Sequence, residues 1–284
     1  MSADFFSNSA AAASVRTVRL GDGTLVPALG QGSWHLGQGR HPIEAEEEAM
    51  RVGISLGLTL IDTAEAYGGG RAEEMIGSVI TGQRDHVFSV SKVMPSHADP
   101  AGIRRACEAS LGRLGTDHLD LYLLHWRAGI RDLSPVISTF EELKAAGRIR
   151  RWGVSNFRVS DMEDLLRVSA GDRCIINQVE YSLANRHIER DLLPWCLRHK
   201  LPIMAYSPLG GEGSGLLRNA GLADVAAAKG VPPSAVALAW TMRSGIAVSI
   251  PESGSAEHVK QNAVALSLEL SEQDLETLER AFPG

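Results

Sequence analysis

Three consecutive apolar runs of this sequence each end in a side chain that can do acid–base chemistry. These side chains are Asp62, Lys92 and His125, and Tyr67 follows Asp62 by five residues in a glycine-rich stretch. A lysine that closes an apolar strand must be paired or lose solvation energy, and Asp62 is the partner that we expect for Lys92. If the three runs are neighbouring strands, the four groups converge at one mouth.

Protonation of a carbonyl oxygen is the chemistry that this set favours. An ammonium lowers the pKa of a nearby phenol from about 10 toward neutrality, which would make Tyr67 a general acid. Asp62 would keep Lys92 charged, and His125 would orient the carbonyl group. Because no side chain donates hydride, a nicotinamide cofactor would have to supply it.

Lys92 also permits a different chemistry. A desolvated lysine can form a Schiff base with a carbonyl substrate, and Tyr67 would then move protons without any cofactor. Each group also has a structural explanation, since a strand-end histidine or a loop tyrosine commonly serves packing alone. These residues by themselves leave reduction and Schiff-base lysis open.

The elements that must position these groups alternate along the chain. Eight short, mainly apolar runs are typical of strands buried on both faces; they lie at 28–34, 58–64, 86–92, 118–125, 149–156, 175–181, 202–207 and 247–251. Helical patterns separate and follow them at 43–57, 72–81, 99–115, 134–147, 159–169, 188–199, 233–244 and 256–266. Eight such units predict an α/β fold, the (β/α)8 TIM barrel, whose chemistry sits at the carboxyl ends of the strands.

Three further elements complete the prediction. Residues 16–27 form an N-terminal β-hairpin pattern, and residues 219–229 and 272–281 are two extra helices. The alternative, a doubly wound open sheet, usually carries GxGxxG after its first strand, and Gly30, Gly32 and Gly37 do not fit that spacing.

Composition excludes several classes of protein. The 284 residues carry a formal net charge of −6, which argues against a nucleic-acid partner because such proteins present a basic surface. With 44% hydrophobic residues, the chain is not of the weakly hydrophobic, highly charged type that stays disordered. No apolar run reaches the roughly 18 residues that span a bilayer, so we expect no membrane partner.

We interpret residues 1–15 as a disordered leader and 16–284 as a single barrel domain. The three cysteines follow neither a CxxC nor a disulfide spacing, which favours reduced thiols and a cytoplasmic location. A monomer is the expected state.

Seven motifs, in order along the chain, resemble those of the aldo-keto reductases. They are LIDTAEAY (60–67), SKV (91–93), LYLLHW (121–126), RRWGVSNF (150–157), NQVEY (177–181), AYSPLG (205–210) and IPES (250–253). The resemblance runs from about residue 17 to the end and is strongest to short bacterial members with methylglyoxal reductase activity. It implies NAD(P)H-dependent reduction of small aldehydes and ketones to alcohols.

The resemblance also implies a role for each matching residue. Tyr67 would be the proton donor, Lys92 and Asp62 its tuning pair, and His125 the group that orients the carbonyl. Residues along the later strands would hold NADPH: Ser155, Asn156 and Gln178 its carboxamide, Tyr206 its ring by stacking, and Ser207, Leu209 and Gly210 its pyrophosphate. The segment from Ile250 would hold the adenosine end.

One departure from the family pattern bears on the cofactor. Glu252 and His258 stand where many relatives carry cations that grip the 2′-phosphate of NADPH. Ser253 and Asn262 match the family pattern, whereas Gln261 replaces the usual Glu. A carboxylate at this place repels a 2′-phosphate and accepts a hydrogen bond from a free 2′-hydroxyl. We therefore expect NADPH to bind with a reduced advantage over NADH.

The substrate end of the site is expected to be open. Trp34 and Trp126 match aromatic walls of the family pocket, and the long C-terminal tail of many relatives is not part of this sequence. Methylglyoxal-like ketoaldehydes and aromatic aldehydes are the expected small-molecule carbonyl substrates. The second hypothesis is a cofactor-binding redox sensor or regulatory subunit with little turnover, and the third is the Schiff-base lyase using Lys92.

Overall fold

A short hairpin covers the amino ends of the barrel strands. The computed structural model describes residues 16–211 and 213–284, so the expected leader lies outside the described residues. Strands β1 (Thr17–Arg19) and β2 (Leu25–Pro27) pair antiparallel, as predicted. Between them, Gly21 donates its N–H to the carbonyl of Ile175 at 3.2 Å, just before a barrel strand begins. The hairpin therefore lies opposite the end where chemistry is expected.

Eight parallel strands form the predicted barrel, each paired with its neighbours in sequence. They are β3 (Gln31–Gly32), β4 (Leu60–Asp62), β5 (Phe88–Val93), β6 (Leu121–Leu124), β7 (Trp152–Ser155), β8 (Asn177–Glu180), β9 (Ile203–Tyr206) and β10 (Ala247–Ser249). Parallel bridges from Leu29 to Ser249 and from Gly32 to Glu252 join the first strand to the last. The sheet thereby closes on itself.

A glycine is required at position 30, where the chain entering β3 lies close to both β10 and β4. Gly30 donates its N–H to the carbonyl of Ser249 at 2.8 Å, and a Cβ at this position would lie 2.7 Å from the carbonyl oxygen of Leu60. Any side chain would therefore push β3 away from β4.

Helices cover the outside of the barrel. The eight that follow barrel strands are α1 (Ile43–Ser55), α2 (Arg71–Ile80), α3 (Pro100–Leu114), α4 (Ser134–Ala145), α5 (Val159–Leu166), α6 (Leu192–His199), α8 (Pro233–Thr241) and α9 (Ala256–Ala263). The two extra helices, α7 (Ala220–Lys229) and α10 (Glu272–Ala281), pack on each other, and Lys229 Nζ lies 2.8 Å from Asp274 Oδ2.

Side chains cap some of the helices, and two predicted helices each include a 3-10 turn. The helix predicted over 256–266 is α9 followed by a 3-10 turn at Val264–Leu266. Asp99 caps α3 by accepting from the N–H of Ala101 and Gly102. The helix expected over 188–199 is instead a 3-10 turn followed by α6, because Asp191 has φ −143° and its side chain accepts from the N–H of Leu192.

Apolar side chains fill both faces of the barrel sheet. The barrel interior is filled by a cluster that includes Leu60, Val90, Leu123 and Met204, none of which is exposed.

The three cysteines are free and buried. Burial raises the pKa of each thiol to about 12, so they are weak nucleophiles. Among the described residues, no helix is long and apolar enough to cross a membrane.

Candidate active site

A cavity of about 390 Å³ opens at the carboxyl ends of the barrel strands. Most of the residues singled out in the sequence line it together: Trp34, Asp62, Tyr67, His125, Trp126, Ser155, Asn156, Gln178, Tyr206, Ser207, Leu209, Gly210, Ile250 and Glu252. Their order around the mouth follows from the barrel, because each is attached at or just after the end of a strand.

Lys92 lies beneath this cavity and is fully buried at the end of β5. Its Nζ donates to Asp62 Oδ2 at 2.7 Å, to the carbonyl oxygen of Thr63 at 2.8 Å and to Tyr67 Oη at 3.0 Å. An ammonium has three donors, so all of them are used. The ion pair expected between Lys92 and Asp62 is present.

The Lys92–Asp62 pair is held in its charged form. Burial lowers the pKa of Lys92, but the charges and hydrogen bonds of Asp62 and Tyr67 raise it by more. The net pKa therefore lies above the ordinary value. Burial acts the other way on Asp62 and raises its pKa. We assign the carboxylate as ionised nevertheless, because its two oxygens accept from two donors, Lys92 Nζ and Gln178 Nε2, each at 2.7 Å.

The expected fall in the pKa of Tyr67 is wrong for this site. Burial of the phenol raises its pKa above the ordinary value, and the nearby Lys92 offsets only part of that rise. Asp62 also raises the pKa, so part of the charge that would favour a phenolate is already balanced. The phenol consequently stays protonated, which is the form a proton donor needs.

His125 is a buried, neutral imidazole. Burial first, and the charge of Lys92 second, lower its pKa to about 3. Its Nδ1 has no hydrogen-bond partner among the described residues, and its ring stacks on Trp126 with centroids 3.7 Å apart and planes 9° apart. A neutral imidazole with one N–H can donate to a carbonyl oxygen in the cavity.

Asn156 connects three strand ends on the opposite wall. Its Nδ2 donates to the carbonyl oxygen of His125 and to Ser155 Oγ, each at 3.1 Å, and its Oδ1 accepts from Tyr206 Oη at 3.0 Å. Its φ of 61° and the φ of 48° at Ser207 place both in the left-handed region. Asparagine adopts this region more readily than most residues, whereas it is costly for a serine, and such strained residues cluster at ligand-binding sites.

This wall fits a nicotinamide. Ser155, Asn156 and Gln178 present hydroxyl and amide groups suited to a carboxamide, and Tyr206 presents a ring beside them. The backbone of Ser207 and Gly210 continues the wall outward, and the φ of 80° at Gly210 is one that glycine adopts freely.

The predicted adenosine-binding residues are divided by the structure. Glu252 lines the cavity, whereas Ser253 and Asn262 line a separate, much smaller one beneath it. His258 is exposed on α9, and Gln261, on the same helix, makes a side-chain contact with Glu257; neither lines the main cavity. The structure therefore does not bring these four residues to the cavity wall.

Three cavity residues were given no role in the sequence analysis: Ser33, His35 and Arg40. His35 is the most informative of them. Glu252 Oε2 accepts from its main-chain N–H at 2.7 Å, and Glu252 Oε1 lies 3.1 Å from its Nδ1. Its position directly after Trp34 was the only available signal.

Arg127, which follows Trp126, forms ion pairs with two carboxylates and does not contact the main cavity. Its Nη1 donates to Asp161 Oδ1 and to Asp164 Oδ2, each at 2.8 Å.

Comparisons with known proteins agree on one family. A family model described as the Aldo/keto reductase family matches residues 28–282. Methylglyoxal reductase YeaE of Escherichia coli is 47% identical over 262 residues, covering 91% of this chain and 92% of that protein. Glyoxal reductase of Bacillus subtilis is 32% identical, covering 93% and 91%. A crystal structure of an aldo/keto reductase from Klebsiella pneumoniae in complex with NADP and acetate is 48% identical, with a TM-score of 0.91 and coverage of 95% and 96%.

Proposed function

This chain belongs to the aldo/keto reductase family, and we propose on that premise that it reduces small aldehydes and ketones to alcohols with NADPH. One observation carries the proposal. The hydroxyl of Tyr67 lies in the cavity with Lys92 3.0 Å behind it, and the neutral His125 lines the same cavity. These are a proton donor, a cation to stabilise the anion left by that donor, and a hydrogen-bond donor for a carbonyl oxygen.

The residues of the opposite wall account for the cofactor. Ser155, Asn156 and Gln178 would hold the carboxamide, and Tyr206 would pack against the ring. The bound nicotinamide supplies the hydride that no side chain can donate. The NADP complex of the Klebsiella pneumoniae relative supports NADPH as the cofactor.

The protein side of the reaction is a proton transfer at a prepared site. His125 donates a hydrogen bond to the carbonyl oxygen and polarises the C=O bond. Tyr67 gives its phenolic proton to the same oxygen, and Lys92 stabilises the resulting phenolate. Asp62 keeps Lys92 charged and fixed throughout, because its carboxylate accepts directly from Nζ.

The Schiff-base hypothesis is weaker than reduction on the same geometry. A lysine attacks a carbonyl only as a free amine, whereas Lys92 is fully buried, its pKa is raised, and each of its three donors has a partner. The redox-sensor hypothesis predicts tight NADPH binding with very little turnover. The complete proton-donating set at the cavity favours an enzyme over such a sensor.

Methylglyoxal-like ketoaldehydes and aromatic aldehydes are the proposed substrates. Trp34 and Trp126 flank the cavity mouth and are 58% and 39% exposed, so the mouth is open and apolar. The activity named for the Escherichia coli relative supports methylglyoxal itself. We further propose that the protein is a cytoplasmic monomer; its three free, buried thiols are consistent with a reducing compartment.

A panel of aldehydes and ketones, assayed with both NADPH and NADH, tests the function. We expect cofactor oxidation with methylglyoxal and 4-nitrobenzaldehyde, and a preference for NADPH that is modest because Glu252 lines the cavity. An NADPH preference of about a thousandfold or more would contradict the role of Glu252 in weakening cofactor discrimination. Tight NADPH binding without turnover of any carbonyl compound would favour the sensor.

A further inference from the structure

A chain of contacts joins the loop after β10 to an aromatic wall of the cavity. Glu252 Oε2 accepts from the main-chain N–H of His35 at 2.7 Å, and Glu252 Oε1 lies 3.1 Å from Nδ1 of the same residue. The imidazole of His35 stacks on Trp34, with ring centroids 4.3 Å apart and planes 28° apart. All three residues line the cavity. The loops after the first and the last barrel strands are thus linked through one imidazole.

Trp34 depends on such a neighbour for its orientation. The residue is 58% exposed, so most of its indole is not packed against protein and loses rotamer freedom only where a neighbour restrains it. The side chain of His35 is 21% exposed, and its contact with Glu252 fixes the plane of its ring. The other wall is built alike, because Trp126 stacks on the buried ring of His125.

We propose that His35 is a positioning residue of the substrate site, which holds the indole of Trp34 in place, and that Glu252 in turn holds His35. The proposal rests on the proposed function, in which Trp34 is a wall for the substrate. Glu252 would then have two roles. Its charge affects the choice of cofactor, and its contact with His35 affects which carbonyl compounds bind well.

Aromatic aldehydes and small ketoaldehydes should depend differently on the orientation of Trp34. An aromatic aldehyde presents a ring that stacks on a correctly oriented indole, and aromatic pairs add to binding beyond the burial of their surface. A three-carbon ketoaldehyde has no such ring and is held mainly at its carbonyl oxygen by Tyr67 and His125. Loss of the His35 ring should therefore weaken selection of aromatic aldehydes, through KM rather than kcat.

The test measures kcat and KM for 4-nitrobenzaldehyde and methylglyoxal at saturating NADPH. The variants are His35→Ala, Trp34→Ala and the double variant, with His187→Ala as control because His187 is an exposed histidine bonded to Asn185 outside the cavity. A second variant, His35→Asn, keeps a hydrogen-bond donor near Glu252 and removes the ring. It separates anchoring of the loop from stacking on Trp34.

We expect His35→Ala and His35→Asn to lower the ratio of kcat/KM for the aromatic aldehyde to that for methylglyoxal about threefold to tenfold, mostly through KM. In the Trp34→Ala background, the same change at His35 should have no further effect on that ratio. An equal loss for both aldehydes, a full effect without Trp34, or a wild-type ratio in His35→Asn would overturn the proposal. A wild-type protein that reduces neither aldehyde would overturn the proposed function itself.

Discussion

Nζ of Lys92 lies 3.0 Å from the phenolic oxygen of Tyr67 and 4.7 Å from the centre of its ring. The cation faces a phenol that burial keeps protonated, and its attraction is stronger for the anion that forms when the proton leaves. The pair therefore stabilises the negative charge that develops on the phenolic oxygen in the transition state more than it stabilises the resting phenol, which is the requirement for catalysis.

Tyr67→Phe removes the proton donor and leaves the cavity shape nearly unchanged. We expect kcat for methylglyoxal to fall by about a hundredfold or more, the usual scale for a general acid, while NADPH still binds. Stopped-flow turnover and NADPH fluorescence titration measure the two effects. Turnover equal to that of the wild type would refute the assignment.

Lys92→Met leaves Asp62 as a buried carboxylate without its cation. Breaking a buried pair in this way costs about 3–5 kcal/mol, so we expect a clear fall in the free energy of unfolding by urea. The double variant Lys92→Met/Asp62→Asn removes both charges and should recover much of that stability without recovering activity. Equal stability of the single and double variants would show that the charge of Asp62 is not the cause.

The pH dependence of reduction should show no inflection from these groups between pH 6 and 9. Tyr67 must be protonated to act, and its pKa is raised above 10, so the rate falls only at higher pH. His125 must be neutral, and its pKa is lowered to about 3. Profiles of kcat/KM for the wild type and His125→Gln test this; a step near pH 6.5 that is present only in the wild type would contradict it.

The lowered pKa of His125 also predicts how stability changes with pH. The unfolded chain binds this proton below about pH 6.5, whereas the folded chain does so only near pH 3. Stability from this group is therefore complete above pH 6.5 and falls as the pH drops toward 3, by about 1.4 kcal/mol per pH unit at most. Urea titrations at several pH values should show a shallower loss in His125→Gln than in the wild type.

Glu252→Lys should strengthen discrimination in favour of NADPH. The change replaces a carboxylate on the cavity wall, which repels a 2′-phosphate, with an ammonium group, which attracts it. We expect the ratio of kcat/KM with NADPH to that with NADH to rise about tenfold, equivalent to about 1.4 kcal/mol. Glu163→Lys, an equal charge change at an exposed site on α5, is the control and should leave the ratio unaltered.

The barrel and the four catalytic candidates were predictable because their signals are local. Each of Asp62, Lys92 and His125 ends its own apolar run, and the barrel rule places all strand ends together. The pKa of Tyr67 was not predictable in the same way, because its direction depends on how burial compares with the charges of Lys92 and Asp62. The His35–Glu252 contact joins residues 217 positions apart, and no short-range pattern reports it.

The closure between β3 and β10 has a consequence for biosynthesis. The cavity wall that contains Glu252 meets the wall that contains Trp34 only after nearly the whole chain has been made, since the two are far apart in sequence and adjacent in space. A ribosome-bound chain that lacks β10 carries Lys92 in an unclosed sheet with two free strand edges. Such a nascent chain lacks the complete site, and its exposed strand edges can pair with other chains until β10 is in place.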